Sequence, residues 1–570
     1  MKKSRPTQDN DLFLVAQLAA ALSIGSFFYY LRHGDLLLYG DAVAHINIAR
    51  RVFDSQTPGP LQLGTVWLPL PHILMLPFIV SRWMWWTGIG GAIPSMIAYL
   101  FSVIGVFILV REIPTSPKNG EKPQPVRETP RSPKNGETWG TQVDGTARFA
   151  AWFAAGIFAL NPNLIYLQTT AMTEPIYFAF FIWAVVFFAR AIRSCTSGDQ
   201  QSGNSFLVRC GFCLFGACLT RYDGWLLAAV IVTLSIALAW IGNFGSLRSG
   251  TMKLTLLATA APVLWLAYNA AVYRNPLEFA NGPYSARAIE EKTSVPGTPP
   301  HPGAHDLPVA FRYFFKSAQL NLAPGKLQVF WVSALLLGTA TALLFQRKLW
   351  PLLLLWAPVP FYMLSIAYSG VPLFVAVWWP FSHYNVRYGL EMLPAFAVLT
   401  AIAAYGLLRF SAVPRSKAII VLLFLLCATA SYVQVWRTSP VTYEEAVVNS
   451  RSRIAIESRL ASEFEQLPSN ARFLMYLGDH VGLFQQAGIS LSRVINEGNH
   501  RPWVLPSDPE GLWERALAHP ASYADYVIAF DSDQVATKVN RNELVSLEIV
   551  RVSGQAQATI YRTVKSNQAR

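Results

Sequence analysis

Charged side chains are scarce in this 570-residue chain: Asp, Glu, Lys and Arg make up 14% of it, against 53% hydrophobic residues. Too few polar groups are present to cover a single soluble globule of this size. Cysteine is also sparse, with five residues. Cys210, Cys213 and Cys218 fall along one apolar segment, Cys427 within another and Cys195 in a basic loop. None has the nearby His or second pair that would complete a metal set, so they read as small packing residues. The loops opposite the basic ones contain no cysteine, which excludes a disulfide framework there. A G-x-G-x-x-G loop and a Walker lysine are missing too. "GDHVG" (478–482) reads as an ordinary strand-to-helix turn.

What the chain does contain is a series of apolar runs, each long enough for a ~30 Å hydrocarbon core. The first, Leu12 to Leu31, is too long and ends too bulkily ("SFFYYLRHG") for a cleavable signal peptide, and reads as a retained span. Lys and Arg outnumber Asp and Glu 46 to 33, a net charge of +13. These cations sit in short segments between apolar runs: Lys2, Lys3 and Arg5; Arg111 to Lys134; Arg190, Arg193 and Arg209; Arg248 and Lys253; Arg347 and Lys348; Arg409, Arg415 and Lys417. That is the positive-inside pattern. It makes membrane lipids the partner of the excess charge and argues against nucleic acid.

Placing every basic segment in the cytoplasm gives about eleven transmembrane helices near 12–31, 92–110, 148–167, 175–190, 206–220, 225–242, 254–273, 327–345, 350–368, 389–408 and 418–436. The N-terminus is then cytoplasmic and the C-terminus extracytoplasmic. Residues 69–86, "PLPHILMLPFIVSRWMWW", read as a juxtamembrane segment, because a full crossing there would invert every later basic loop. The cytoplasmic loop 112–146 is rich in Pro, Lys, Gly and Glu, repeats "SPKNGE" at 116–121 and 132–137, and reads as disordered. The membrane domain is expected to occupy 1–437 and a soluble α/β domain 438–570. There "RFLMYL" and "DYVIAF" read as strands, "GLWERALAH" as a helix and the final "LVSLEIVRV" and "ATIYRTV" as a hairpin.

With that topology, every motif mixing acids, Arg, His and Tyr falls on the outer face: Asp41 after the first span, "MTEP" (172–175), "TRYDGW" (220–225) and "SHYNVRYGLEMLP" (382–394). Each has an ordinary explanation. Asp41 is placed to cap "AVAHINIARRVF", and Glu174 before Pro175 to be a first-turn acid. Arg221 and Asp223 suit a local ion pair, and Arg387 with Tyr384 and Tyr388 suits a headgroup anchor. His45, four residues after Asp41, suits a solvated position. Independent caps and anchors have no reason to collect on one side, however, and ionisable groups near membrane depth commonly serve a substrate path.

In this order, "YGDAVAHINIARRVF", "WLPLPHILMLPF", "MTEP", "RYDGW" and "NVRYGLEMLP" resemble the GT-C superfamily of membrane glycosyltransferases. The likeness covers roughly residues 10–435 and is nearest to the bacterial branch of protein mannosyltransferases and lipid A aminoarabinose transferases. The resemblance implies an inverting transferase in the cytoplasmic membrane, with a polyprenyl-phosphate sugar, undecaprenyl phosphate as carrier, for donor and an envelope lipid, glycan or protein for acceptor. It implies Asp41 as the base. Arg387, and after it Arg221, would meet the leaving phosphate, with Glu174 on sugar hydroxyls or positioning Asp41. His45, His72, Asp223, Tyr384 and Asn385 would complete the substrate-binding set. A single Asp at 41, where some relatives have paired acids, leaves use of a divalent metal open. The chemistry agrees: a polyprenyl phosphate needs no strong acid to depart, whereas the attacking hydroxyl needs a base. The competing reading is a transporter or flippase for a lipid-linked sugar, which calls for polar groups through the bilayer centre and internal repeats. A receptor with a C-terminal ligand domain leaves the outer motifs unexplained.

Overall fold

The computed structural model describes residues 7–112, 145–241, 245–293, 297, 299–345, 347–478, 480–499 and 510–564. Apart from its ends, the loop 112–146 with its repeated hexapeptide lies outside the described residues.

The chain opens with α1 (Thr7–His33), α2 (Gly40–Arg51), α3 (Leu70–Ile79), α4 (Arg82–Trp86) and α5 (Ile89–Arg111). After these come α6 (Gly145–Ala159), α7 (Pro162–Leu167), α8 (Glu174–Thr196), α9 (Gln200–Cys218), α10 (Asp223–Ile236) and α11 (Arg248–Tyr273). Two short helices, α12 (Glu278–Asn281) and α13 (Ala286–Thr293), precede α14 (Leu307–Leu320), α15 (Leu327–Ala340), α16 (Pro358–Tyr368), α17 (Leu393–Phe410) and α18 (Pro414–Thr438).

Among the described residues, nine helical stretches are long and apolar enough to cross a bilayer. Two of the eleven expected spans fall outside that set for visible reasons. Residues 148–167 form α6 and α7 with a break between, because the Asn161 side chain accepts from the N–H groups of Asn163 and Leu164 and starts a new helix at Pro162. Residues 206–220 are the apolar end of α9, whose first turns, "QQSGNS", are polar. Both still run with the bundle: α6 packs on α5 and α17, and α9 lies between α8 and α11. Residues 69–86 form α3 and α4, of 10 and 5 residues, too short for a ~30 Å core.

The bundle closes around α17: in the most apolar 18-residue window of its span, Val386–Phe410, 94% is buried inside the protein. Helices reach this proximity through small residues, since lipid supplies no hydrophobic drive to push them together. At Gly338 of α15, a Cβ would stand 1.8 Å from the Leu399 carbonyl oxygen of α17.

Beyond α18, α19 (Val441–Phe464) leads to β1 (Phe473–Met475), α20 (Gly482–Gln486), β2 (Val494–Ile495), α21 (Leu512–Ala518), α22 (Pro520–Tyr523), β3 (Tyr526–Phe530), α23 (Gln534–Lys538), β4 (Leu544–Val550) and β5 (Ala558–Thr563). The strands form one sheet of order β2-β1-β3-β5-β4. β1 pairs in parallel with β2 and β3, while β5 runs antiparallel to both β3 and β4. This is the α/β pattern with a terminal hairpin that the sequence predicts.

The sheet domain is fastened to α2 and its approach. Tyr39 Oη donates to the Thr442 carbonyl at 2.7 Å, and Arg453 Nη2 donates to the Leu38 carbonyl at 2.9 Å. Asn47 Nδ2 donates to Gln485 Oε1 at 2.7 Å. Gly482 lets α20 approach so closely that a Cβ there would lie 2.9 Å from Val43 Cγ1. The helix carrying Asp41 is therefore held between the bundle and the sheet domain.

Candidate active site

Asp41 occupies the first turn of α2, but it is not the cap: Tyr39 holds that position in extended backbone, and no side chain caps the helix. The carboxylate is instead bonded to Arg387 Nη2. Its side chain is 40% exposed, whereas that of Arg387 is only 6% exposed.

Arg387 rises from the 3-10 turn Val386–Met392, which follows Asn385 in the left-handed region at φ 56°, a conformation Asn tolerates. Every arm of its guanidinium is engaged. Nε reaches Glu174 Oε1 at 3.3 Å, Nη1 reaches Glu445 Oε1 at 2.9 Å, and Nη2 takes Asp41. The rings of Tyr39 and Tyr388 lie 5.0 Å from its central carbon, adding cation–π contact. Glu445 also accepts the backbone N–H groups of Asn385 and Arg387, at 2.8 and 3.2 Å. It fixes both the side chain and the turn that presents it.

A second guanidinium, Arg221, sits beside the first. Its Nη1 is 3.1 Å from Glu174 Oε1, so that one oxygen bridges the two arginines. Its Nε is 3.2 Å from Asp223 and 3.4 Å from Glu391, and Nη2 donates to Tyr362 Oη at 2.7 Å. Five carboxylates thus surround two arginines, and Glu174, Asp223, Glu391 and Glu445 are buried. Glu174 Oε2 and both Glu391 oxygens lack a hydrogen-bond partner among the described residues. Two guanidiniums are too few to neutralise five ionised carboxylates, so the cluster is rich in acid, and removing either arginine would leave buried carboxylates unpaired. Asp41 is the member that opens outward.

The two histidines differ from expectation. His45 is buried rather than solvated, as is His72, and their rings share a 2.9 Å Nδ1–Nε2 hydrogen bond. Burial, helped by Arg221 and Arg387, pushes His45 down to about 3. Burial also drives His72 well below the ordinary value. Burial therefore favours the neutral form of each ring, which does not offer a cation to a phosphate. Tyr384 is part-exposed, and burial together with the nearby Asp41 charge raises its phenol above the usual value. Asn385 Nδ2 donates to the Pro372 carbonyl at 2.8 Å, so its side chain braces the turn.

Asp41, Glu174, Arg221, Asp223 and Arg387 therefore meet in one network. Sequence reasoning missed Glu445, Glu391 and Tyr362. Glu391 lies one helical turn after Arg387 in a motif already singled out, while Glu445 belongs to a mixed amphipathic helix with no motif around it. Among the described residues no group of three or more His, Cys, Asp or Glu is arranged to hold a metal ion, and Asp41, Glu174, Asp223, Glu391 and Glu445 are instead turned toward arginine.

By sequence, the chain matches no family model and no curated protein. By structure, it is similar to ArnT from Cupriavidus metallidurans bound to undecaprenyl phosphate, with a TM-score of 0.53 and 14% identity over 96% of this chain and 98% of that one. Against the apo state of the same protein the TM-score is 0.51 and the identity 12%, over 95% and 97% of the two chains. Nearly the whole length, membrane bundle and sheet domain together, therefore has the fold seen in ArnT.

Proposed function

We propose that the protein is an inverting glycosyltransferase that moves a sugar from a polyprenyl-phosphate donor to an envelope acceptor at the outer face of the cytoplasmic membrane. The observation that carries this reading is the single outward-opening carboxylate, Asp41, held by an arginine that two buried glutamates keep in place. Such a carboxylate, with its geometry preset, suits a general base. Asp41 takes the proton from an acceptor hydroxyl as its oxygen bonds to the anomeric carbon. The bond from that carbon to the phosphate oxygen breaks on the opposite face, and polyprenyl phosphate leaves with the electron pair.

Arg387 has no free arm in this arrangement, which supports a positioning role toward Asp41 over direct phosphate binding. The second N–H on each Nη is what would remain for the leaving phosphate. The undecaprenyl phosphate bound by ArnT supports a lipid-linked donor here. The gathering of these residues into one cluster favours this reading over transport, which calls for polar groups spaced across the bilayer.

The test is Asp41→Asn in purified protein with a lipid-linked sugar donor that the parent uses. Transfer is expected to fall about 10²–10⁴-fold, the range for loss of a general base, with donor binding kept. Turnover near that of the parent would remove Asp41 from the mechanism.

A further inference from the structure

Between the spans Leu349–Tyr368 and Val386–Phe410 the chain makes the loop 369–385, which ends at the turn carrying Arg387. From Ser369 to Tyr384 it reads "SGVPLFVAVWWPFSHY", without one Asp, Glu, Lys or Arg. Part of it folds inward, with Leu373 and Val375 buried. The middle does the opposite. Val377, Trp378, Trp379 and Phe381 all face out of the protein, Phe381 with 69% of its surface exposed.

This apolar tip is held in place from behind. The Trp378 N–H donates to the Val375 carbonyl at 3.1 Å, and the Phe381 N–H to the Trp378 carbonyl at 2.6 Å. Tyr313 of α14 donates its hydroxyl to the Trp379 carbonyl at 2.7 Å and sets its ring against that of Trp378, 5.2 Å between centroids. Lys316 of the same helix brings its ammonium to 5.8 Å from the Trp378 ring centre. At the base of the loop, Phe374 and Tyr384 exchange backbone hydrogen bonds of 2.9 and 3.3 Å. Asn449 of α19 donates to the His383 carbonyl at 2.9 Å, one residue from that bridge and two from Asn385, which Glu445 of the same helix holds. The sheet domain's first helix therefore grips the base, while Trp379 and Phe381 stay uncovered.

Apolar side chains fixed in an outward position gain free energy from whatever removes them from water, and lose little entropy when it does. Both ends of this loop enter membrane spans. Leu364 and Tyr368, on the helix that leads into it, are exposed apolar residues as well, so the loop continues a lipid-facing side. Tryptophan with lysine beside it is the composition that settles at a membrane–water boundary.

We propose that residues 377–381 form a wedge that inserts into the lipid bilayer at the face bearing the candidate site, among the headgroups and upper acyl chains. The Phe374–Tyr384 bridge joins the wedge to the Asn385–Arg387 turn, so the wedge fixes the depth at which Arg387 and Asp41 stand. The claim concerns lipid binding and holds with or without the transferase reading.

The test is photo-crosslinking of the full-length protein in vesicles of phosphatidylethanolamine and phosphatidylglycerol, with adducts read by mass spectrometry. The two probes are Phe381→p-benzoylphenylalanine and, at an exposed position of β4, Glu548→p-benzoylphenylalanine. Phospholipid adducts are expected at 381 and none at 548. Adding Trp379→Asp leaves the carbonyl that Tyr313 holds but puts a charge in the wedge, which hydrocarbon rejects; most of the lipid adducts at 381 are expected to be lost. Trp379→Tyr, also an interfacial residue, is expected to keep them. Absence of phospholipid adducts at 381, adducts to a second copy of the chain in their place, equal yields at 381 and 548, an unchanged yield with Trp379→Asp, or an equal loss with Trp379→Tyr overturns the proposal.

Discussion

Glu445→Gln changes one atom type at the point where the sheet domain meets the charge network. Oε1 receives Arg387 Nη1 at 2.9 Å and the Asn385 N–H at 2.8 Å; Oε2 receives the Arg387 N–H at 3.2 Å. Glutamine can keep its oxygen on the first pair, but its amide nitrogen then faces the Arg387 N–H, donor against donor. Turning a charge-assisted hydrogen bond into a neutral one costs about 1–1.5 kcal/mol, and stranding a buried N–H costs about 1–3 kcal/mol. The sum, roughly 2–4.5 kcal/mol, overlaps the lower part of the cost of breaking a buried ion pair. Asp41 and Glu174 remain on the arginine, which explains the moderation. The assay is thermal unfolding in micelles together with transfer from a lipid-linked donor. A lower midpoint and slower transfer are expected, since the arginine that orients Asp41 loses an anchor. Glu444→Gln, one residue away and exposed, is the control, expected within about 0.5 kcal/mol of the parent. If Glu445→Gln matched Glu444→Gln in both measurements, the claim that α19 sets the site would fail.

The buried histidine pair gives a pH dependence. His45 has a folded value of about 3 against an unfolded one near 6.5, so below about pH 6.5 the unfolded chain binds the proton more readily. Stability is expected to fall toward pH 3 by about 1.4 kcal/mol per unit for this residue, and His45→Gln to flatten the profile of midpoint against pH. In the bundle, Gly338→Ala drives a methyl into the Leu399 carbonyl and is expected to cost about 1–3 kcal/mol. Gly156→Ala, with nothing within 4 Å of the new methyl, is expected to be neutral or to gain up to about 1 kcal/mol; equal midpoints for the two variants would refute the packing argument.

The membrane spans were legible because length and apolarity suffice for them, and Asp41, Arg387 and Glu174 because charge stands out against so little of it. What stayed hidden depends on contacts across the chain. α9 and α6 depart from the simple span pattern, one through a polar start and the other through an asparagine cap that interrupts it, features that hydropathy averages away. The helical period of "AVAHINIARRVF" leaves His45 looking solvated, because it does not reveal that Trp67 and His72 close over that face. Glu445 sits in "TYEEAVV", where two adjacent glutamates look alike. Only the turn at Asn385 distinguishes them.

The distances along the chain between α2 and what holds it set an order of events. Tyr39 bonds to Thr442, Asn47 to Gln485 and Asp41 to Arg387, 403, 438 and 346 residues apart, so these partners of the α2 region are made long after it. Pairings this remote form after local helices, because the loop entropy must be overcome first. While the chain is being inserted, Asp41 and its helix have left the ribosome and can already meet α3 through His45 and His72, but the contacts from α19 and the sheet domain are still missing. The charge network closes only when α19 arrives. Until then, the growing protein has the parts of the proposed catalytic centre without the geometry that the transferase reading requires of them.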